Sequence, residues 1–352
     1  MKRLCLVMAV AMAFCAFSIA SAQEYTSVNQ IEQQNAEDFI DYQAQGEYLY
    51  TMDNGKKFAV QVIALGKGKF DFVGYPGGFP GDGWTAKRVK VLFSGSRDGN
   101  VVTAPCTGFQ ILADGEDTKP VPENRVGLKA VLNVSEKKID FVYPDGSVKT
   151  AAKVDRANPA LGAKAPEGAF VLFDGKTINL KEGYKLNEEA GTVWAEFFTN
   201  AFEPDTPYHL HIEFLTTFRP NDRGQGRSNS GVYIAEAYEC QVLDSFGLKG
   251  LNNECGGIYQ AAAPAFNACR PPLTWQAYDI YFTPAKWADG KKVENARVTI
   301  KQNGQEIYKD LELKSNTPGC KGEPKQGEAR GVYCQGHGNH VQYRNIWVEY
   351  LK

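Results

Sequence analysis

The sequence predicts an all-β chain in two parts, a small antiparallel β domain followed by a larger β domain. Short runs of β-branched and aromatic residues recur along it between turn residues, and aromatics make up 12% of its 352 residues. Its 35 glycines suit tight turns between short strands. Near the middle, residues 153–167 lose all periodicity and accumulate Ala, Pro and Gly, which marks a linker. The length agrees, since a domain takes roughly 100 to 200 residues.

In chain order, residues 1–22 read as a secretory leader: Lys2 and Arg3, an apolar run, then Ala20-Ser21-Ala22 as a cleavage site. The mature chain is expected to begin near Gln23 and to be periplasmic or secreted. Residues 23–45 form a polar, Gln-rich arm. Over residues 46–152 apolar alternation is interrupted by Asp53-Asn54-Gly55 and Gly66-Lys67-Gly68, both hairpin turns. Two or three strands lie before residue 80, and more are expected at 88–93, 101–103, 109–113, 128–134 and 139–143. This spacing, without long helices, predicts a compact antiparallel sandwich or barrel. After the linker, residues 168–352 carry strand patterns at 193–197, 208–216, 230–234, 238–243, 275–282, 296–302, 305–308, 331–335 and 341–350.

The net charge of −2 gives no basic field for nucleic acid or an anionic membrane, so neither is expected as a partner. Past the leader, no apolar run approaches the ~20 residues of a membrane span. Outside the leader stand Cys106, Cys240, Cys255, Cys269, Cys320 and Cys334, in a compartment where disulfides persist. Short loop closure favours Cys255 with Cys269 and Cys320 with Cys334.

Six segments carry a family likeness: FVLFDGK from Phe170, YHLHIEF, RGQGRSNSGVYI with YECQVLDSFG, ECGGIYQAAAPAFNACRPPLTWQAYDIYFTPAKW, NARVTIKQNG and YCQGHGNHVQYRNIWVEY. Together, over residues 168–352, they resemble the 3-keto-disaccharide hydrolase domain family. The resemblance implies a concanavalin A-like jelly-roll sandwich whose concave face binds carbohydrate, and an activity toward glycosides oxidised at C3. A C3 ketone acidifies the hydrogen on C2, so proton abstraction, elimination of the C1 substituent and hydration together achieve hydrolysis. That route needs a base near C2, a donor or cation for the enolate oxygen and an acid for the leaving oxygen.

On the strand YECQV, Glu239 and Gln241 share one face, about 6 to 7 Å apart, while Tyr238, Cys240 and Val242 face the core. Glu239 is the expected base or acid. Asp244 falls on the other face unless a bulge intervenes. The E-x-Q-x-x-D spacing resembles the E-x-D-x-x-E of glucanase strands in the same fold, but its two changes remove the paired carboxylates of a double displacement. His337 lies between Gly336 and Gly338, which let the backbone aim it into a cleft as a proton carrier. Arg227, in the Gly-rich loop, is the expected stabiliser of negative charge, with Asn229 beside it as a donor to sugar hydroxyls. Gln335, Tyr259, Asp244 and Glu213 complete the expected carbohydrate-binding set. His209 and His211 alternate with Glu213 on YHLHIEF, and such a pair can chelate a divalent metal; no cofactor is otherwise called for. The rival readings are a lectin-like cell-envelope protein that holds sugar without turnover, and an envelope protein assembled through the N-terminal domain.

Overall fold

The computed structural model describes residues 23–111 and 118–352. The leader expected over 1–22 lies outside the described residues, as does the end of the strand expected over 109–113.

Two short helices open the described chain, Val28–Gln34 and Ala36–Ala44. Ser27 caps the first by accepting from Gln30 N at 3.2 Å. Asn35 caps the second by accepting from Glu37 N and Asp38 N, both at 3.1 Å. Eight antiparallel strands then close into a barrel: Gly46–Thr51, Val148–Val154, Lys138–Val142, Lys129–Asn133, Val101–Gln110, Lys90–Asp98, Lys69–Pro76 and back to Lys57–Ala64. Closure leaves no free edge. Tyr48, Val60, Phe70, Phe72, Phe93 and Leu132 are buried together in the barrel core.

The second part is a two-sheet sandwich, and all its recorded strand pairs are antiparallel. The larger sheet centres on Tyr208–Leu215, paired on one side with Gln276–Thr283 and on the other with Gln342–Tyr350. The smaller runs Phe197–Phe198, Tyr333–Gly336, Ser230–Ile234, Tyr238–Val242. Leu210, Ile212 and Phe214 from the larger sheet meet Val232, Ile234, Cys240 and Val242 from the smaller in one buried core. The alternate residues of the smaller sheet face outward, and these form the site.

Barrel and sandwich share buried contacts. Phe246 is packed among Ala59, Ile63, Tyr75 and Trp84 of the barrel, and Phe218 lies in the barrel's main core. Arg270 Nη1 reaches Glu47 Oε2 at 2.8 Å, and Arg227 Nη2 donates to Ala64 O at 3.2 Å. The segment after the barrel is tied across the outer face of the larger sheet: Gly162 N donates to Glu213 Oε1 at 2.6 Å, and Trp347 Nε1 donates to Ala163 O at 3.2 Å.

The expected disulfides are not formed: Cys106, Cys240, Cys255, Cys269, Cys320 and Cys334 are all free thiols. Cys334 is wholly buried in the sandwich core, whereas Cys320 sits in a partly exposed loop. There its sulfur accepts from Asn316 Nδ2 at 3.0 Å and Gly322 N at 3.1 Å. Cys255 and Cys269 are both buried and their unbridged thiols hydrogen-bond to each other, the first also taking Gln302 Nε2 at 3.3 Å and the second facing Arg270 O at 3.4 Å. Among the described residues, no helix is long and apolar enough to cross a membrane.

Candidate active site

The period of two in Tyr238–Val242 puts Tyr238, Cys240 and Val242 into the core and turns Glu239 and Gln241 outward. The neighbouring strand places Gly231 opposite Gln241 and Tyr233 opposite Glu239. On its other side Gly231 pairs with Gln335 and Tyr233 with Tyr333. A Cβ on Gly231 would collide with the Glu239 carboxylate, so the missing side chain makes room for that group. The hairpin between these strands turns at Ala235 and Glu236, with φ of 50° and 52°. Glu236 is fixed there by Lys181 at 2.9 Å and Lys321 at 2.8 Å.

These outward groups line a hollow of about 140 Å³, whose walls include Gln225, Asn229, Tyr233, Glu239, Gln241, Tyr259, Gln335 and His337. A cavity of ~150 Å³ holds a benzene-sized ring, and this hollow is of about that size. Six of the residues singled out in the sequence therefore meet here: Glu239, Gln241, Asn229, Gln335, Tyr259 and His337. Tyr259 N donates to Glu239 O at 3.0 Å, tying its loop to the strand.

Glu239 is 3% exposed, and burial pushes its pKa up to about 7 against the opposing hydrogen bond from Tyr233. Tyr233 Oη lies 2.9 Å from both Glu239 Oε2 and Pro318 O, yet it has one hydrogen to give. With Glu239 ionised the hydrogen goes to the carboxylate. With Glu239 protonated, the tyrosine can donate to Pro318 O and its oxygen accept a hydrogen bond from the carboxyl O–H.

His337 is exposed at the rim. Its turn needs Gly338 for a φ of 70°. Gly336 serves differently from expectation: its backbone N donates to Glu196 Oε2 at 2.9 Å, and a Cβ there would strike that side chain. Asn339 Oδ1 accepts from Asn229 N at 2.6 Å. From the N-terminal arm, Glu24 Oε1 accepts His340 N at 2.9 Å and Thr217 Oγ1 at 2.8 Å, holding the far end of the turn.

Three expected site residues lie elsewhere. Arg227 Nε donates to Asp244 Oδ2 at 2.7 Å, both side chains nearly inaccessible, so this pair braces the seam with the barrel and leaves the hollow without a guanidinium. Asp244 follows the strand end, where its backbone N also donates to Arg227 O at 3.1 Å. Glu213 is buried on the outer face of the larger sheet, held by Arg344 Nε at 2.7 Å, Asn345 Nδ2 at 2.9 Å and Gly162 N. Burial raises its pKa, but these bonds and His211 outweigh that and bring it down to about 2.

His209 and His211 share one carboxylate: Asp279 Oδ1 lies 3.0 Å from His209 Nε2 and 2.8 Å from His211 Nδ1. Trp347 stacks on His211 at 5.1 Å, and His211 is wholly buried. Among the described residues no three His, Cys, Asp or Glu side chains are arranged to hold a metal ion.

A larger cleft of about 680 Å³ lies between barrel and sandwich, beside Trp275. Three of the four cations that line it are engaged: Glu47 takes Arg156 Nη2 at 2.6 Å and Arg270 Nη1 at 2.8 Å, while Lys153 Nζ donates to Gln43 O and Gln45 O, both at 2.6 Å. Arg344 covers a face of Trp275 at 4.0 Å. The smaller hollow is the one that joins a carboxyl group of near-neutral pKa to a ring of amides and hydroxyls.

Tyr233 and Gln225 were not anticipated from sequence. Tyr233 was within reach, because the alternation that turns Glu239 outward also turns out the residue opposite it. Gln225 carries no local signal.

Among curated proteins none matches the chain. Among solved structures, a candidate glycosyl hydrolase from Parabacteroides distasonis ATCC 8503 is 28% identical, covering 53% of this chain and 85% of its own, with a TM-score of 0.46. A second candidate glycosyl hydrolase from that organism is 18% identical, covering 53% of this chain and 95% of its own, with a TM-score of 0.36. Residues 168–349, the span that builds the sandwich, match the profile of the 3-keto-alpha-glucoside-1,2-lyase-like domain, and the chain belongs to that family.

Proposed function

We propose that the chain cleaves glycosides already oxidised at C3, with Glu239 as the base. The observation that carries this reading is the Glu239 carboxyl, buried over Gly231 with a pKa of about 7 at the floor of a ring-sized hollow. A base so poised is half ionised near neutral pH and strong enough to take a proton acidified by an adjacent ketone. In this scheme Glu239 removes the C2 hydrogen as a proton, and the C2–H electron pair becomes the enolate of the C3 ketone. The enolate collapses to a C1–C2 double bond, and the C1–O bond breaks with its electrons going to the departing oxygen. His337 at the rim supplies the proton that oxygen needs. Addition of water across the new double bond completes hydrolysis. The neutral donors Tyr259 and Gln335 take the enolate oxygen, the part first given to Arg227. Family membership supports carbohydrate cleavage in general, and the carboxyl group's setting favours elimination over a double displacement, because the hollow holds a single carboxylate.

The test compares cleavage of ordinary and 3-keto glucosides, with the 3-keto sugar followed in D2O. Deuterium entering C2 together with cleavage of the 3-keto member is the expected result. Binding of both sugars without exchange would instead mark a carbohydrate-binding protein. We also place the protein in the periplasm or outside the cell, on the leader-type pattern of residues 1–22; N-terminal sequencing of the exported chain checks it.

A further inference from the structure

We infer that Gln225 fixes the polarity of the hollow so that it accepts a neutral pyranoside with free hydroxyl groups and turns away deoxy and anionic analogues. This deepens the reading just given and rests on it.

The argument starts at a backbone carbonyl. Asn253 O can only accept, and it takes Gln225 Nε2 at 2.7 Å. The amide of Gln225 is thereby set with its oxygen on the opposite side. That oxygen meets two other amides, Gln241 Nε2 at 2.8 Å and Asn229 Nδ2 at 3.2 Å. Since an oxygen only accepts, both neighbours must present their NH2 groups to it, and their carbonyl oxygens must point away. One fixed carbonyl therefore decides the orientation of three side chains in series.

The consequence is visible in the two oxygens left over. Asn229 Oδ1 and Gln241 Oε1 are buried and, among the described residues, have no hydrogen-bond partner. Their residues are 3% and 1% exposed and both line the hollow beside Glu239. Native structures rarely leave a buried acceptor unsatisfied, and such atoms mark where a ligand donor belongs. Two unsatisfied carbonyl oxygens on residues that line the hollow with Glu239 ask for O–H donors and disfavour a carboxylate. A sugar ring with free hydroxyls meets that demand; one in which a hydroxyl is removed leaves an acceptor stranded.

The experiment measures calorimetric binding of methyl 3-keto-glucoside, its 2-, 4- and 6-deoxy counterparts and the corresponding uronide to the full chain. The unmodified protein is expected to bind at least one deoxy sugar about tenfold or more weakly, as a stranded buried acceptor requires, and the uronide more weakly still. Gln225→Ala frees both amides to rotate, so discrimination against the deoxy sugar should shrink to within about threefold. Equal binding of parent and deoxy sugars by the unmodified chain, or undiminished discrimination in Gln225→Ala, overturns the inference alone. Failure of every sugar to bind overturns the carbohydrate reading and this inference with it.

Discussion

The Tyr233 hydroxyl sits 2.9 Å from Glu239 Oε2 and an equal 2.9 Å from Pro318 O, so one hydrogen serves two acceptors. Which acceptor it serves follows the protonation of Glu239. The strand pairing that sets Tyr233 opposite Glu239 thus couples a backbone carbonyl to the ionisation of the proposed base.

Activity should therefore rise with pH through about 7, the Glu239 value, as the base loses its proton. The Tyr233 bond favours the ionised form, so Tyr233→Phe should move the midpoint upward by about 1 unit. The pH dependence of kcat/KM checks both statements, and a midpoint that moves downward in the variant contradicts the assignment.

Replacing Glu239 with Gln should lower turnover about a hundred- to ten-thousandfold, the range of a lost general base. Its effect on stability has the opposite sign. The folded pKa of about 7 lies above the ordinary 4.5, so the folded state holds the proton more tightly and loses relative stability as pH rises from 4.5 through 7. Above pH 7 the buried charge costs on the order of 3 kcal/mol, at 1.36 kcal/mol per unit. Glu239→Gln should thus melt no lower than the parent at pH 8, and a large drop in melting temperature there would assign Glu239 to the framework.

Much of the site could be read from sequence, because it rests on alternation. Glu239 and Gln241 turn outward by the same period that buries Cys240 and Val242, and that is a local property of five residues. Arg227 and Asp244 were misplaced because their positions depend on the barrel: the guanidinium donates to Ala64 O, 163 residues away. Glu213 shows the same limit, since its partner Arg344 lies 131 residues on. Alternation identified its face but not the chain segment that covers that face. The barrel's strands were legible as short turn-bounded runs; its closure was not, because the pairing of Gly46–Thr51 with Val148–Val154 is long-range.

Arg227→Ala should act through folding. It leaves Asp244 as a buried carboxylate without its guanidinium at the seam, a class of change that costs about 3 to 5 kcal/mol. Phe246→Ala opens a cavity among Ile63, Tyr75 and Trp84 and should cost a similar 3 to 5 kcal/mol. Urea unfolding measures both. For Arg227→Ala, a loss of kcat with stability intact would return the arginine to catalysis.

The outer face of the larger sheet supplies the last prediction. Burial disfavours the charged form of His211, but the bonds to Asp279 and Glu213 outweigh it and leave the pKa raised. Its contribution to stability is therefore complete below the unfolded value of about 6.5 and fades as pH rises through the folded value. Glu213 behaves conversely: with its pKa near 2, it stabilises above 4.5 and stops doing so as pH falls toward 2. Asp279, also held below its ordinary range, acts in the same direction as Glu213. The cluster should thus stabilise the fold most strongly between the carboxylate range and the His211 transition. Asp279→Asn removes the charge that both histidines share and should lower stability by several kcal/mol near pH 6, a loss that shrinks as pH rises through the His211 transition and the imidazolium disappears. Urea unfolding across pH 4 to 9 checks this, and a loss independent of pH would mean that Asp279 acts through packing and hydrogen bonding alone.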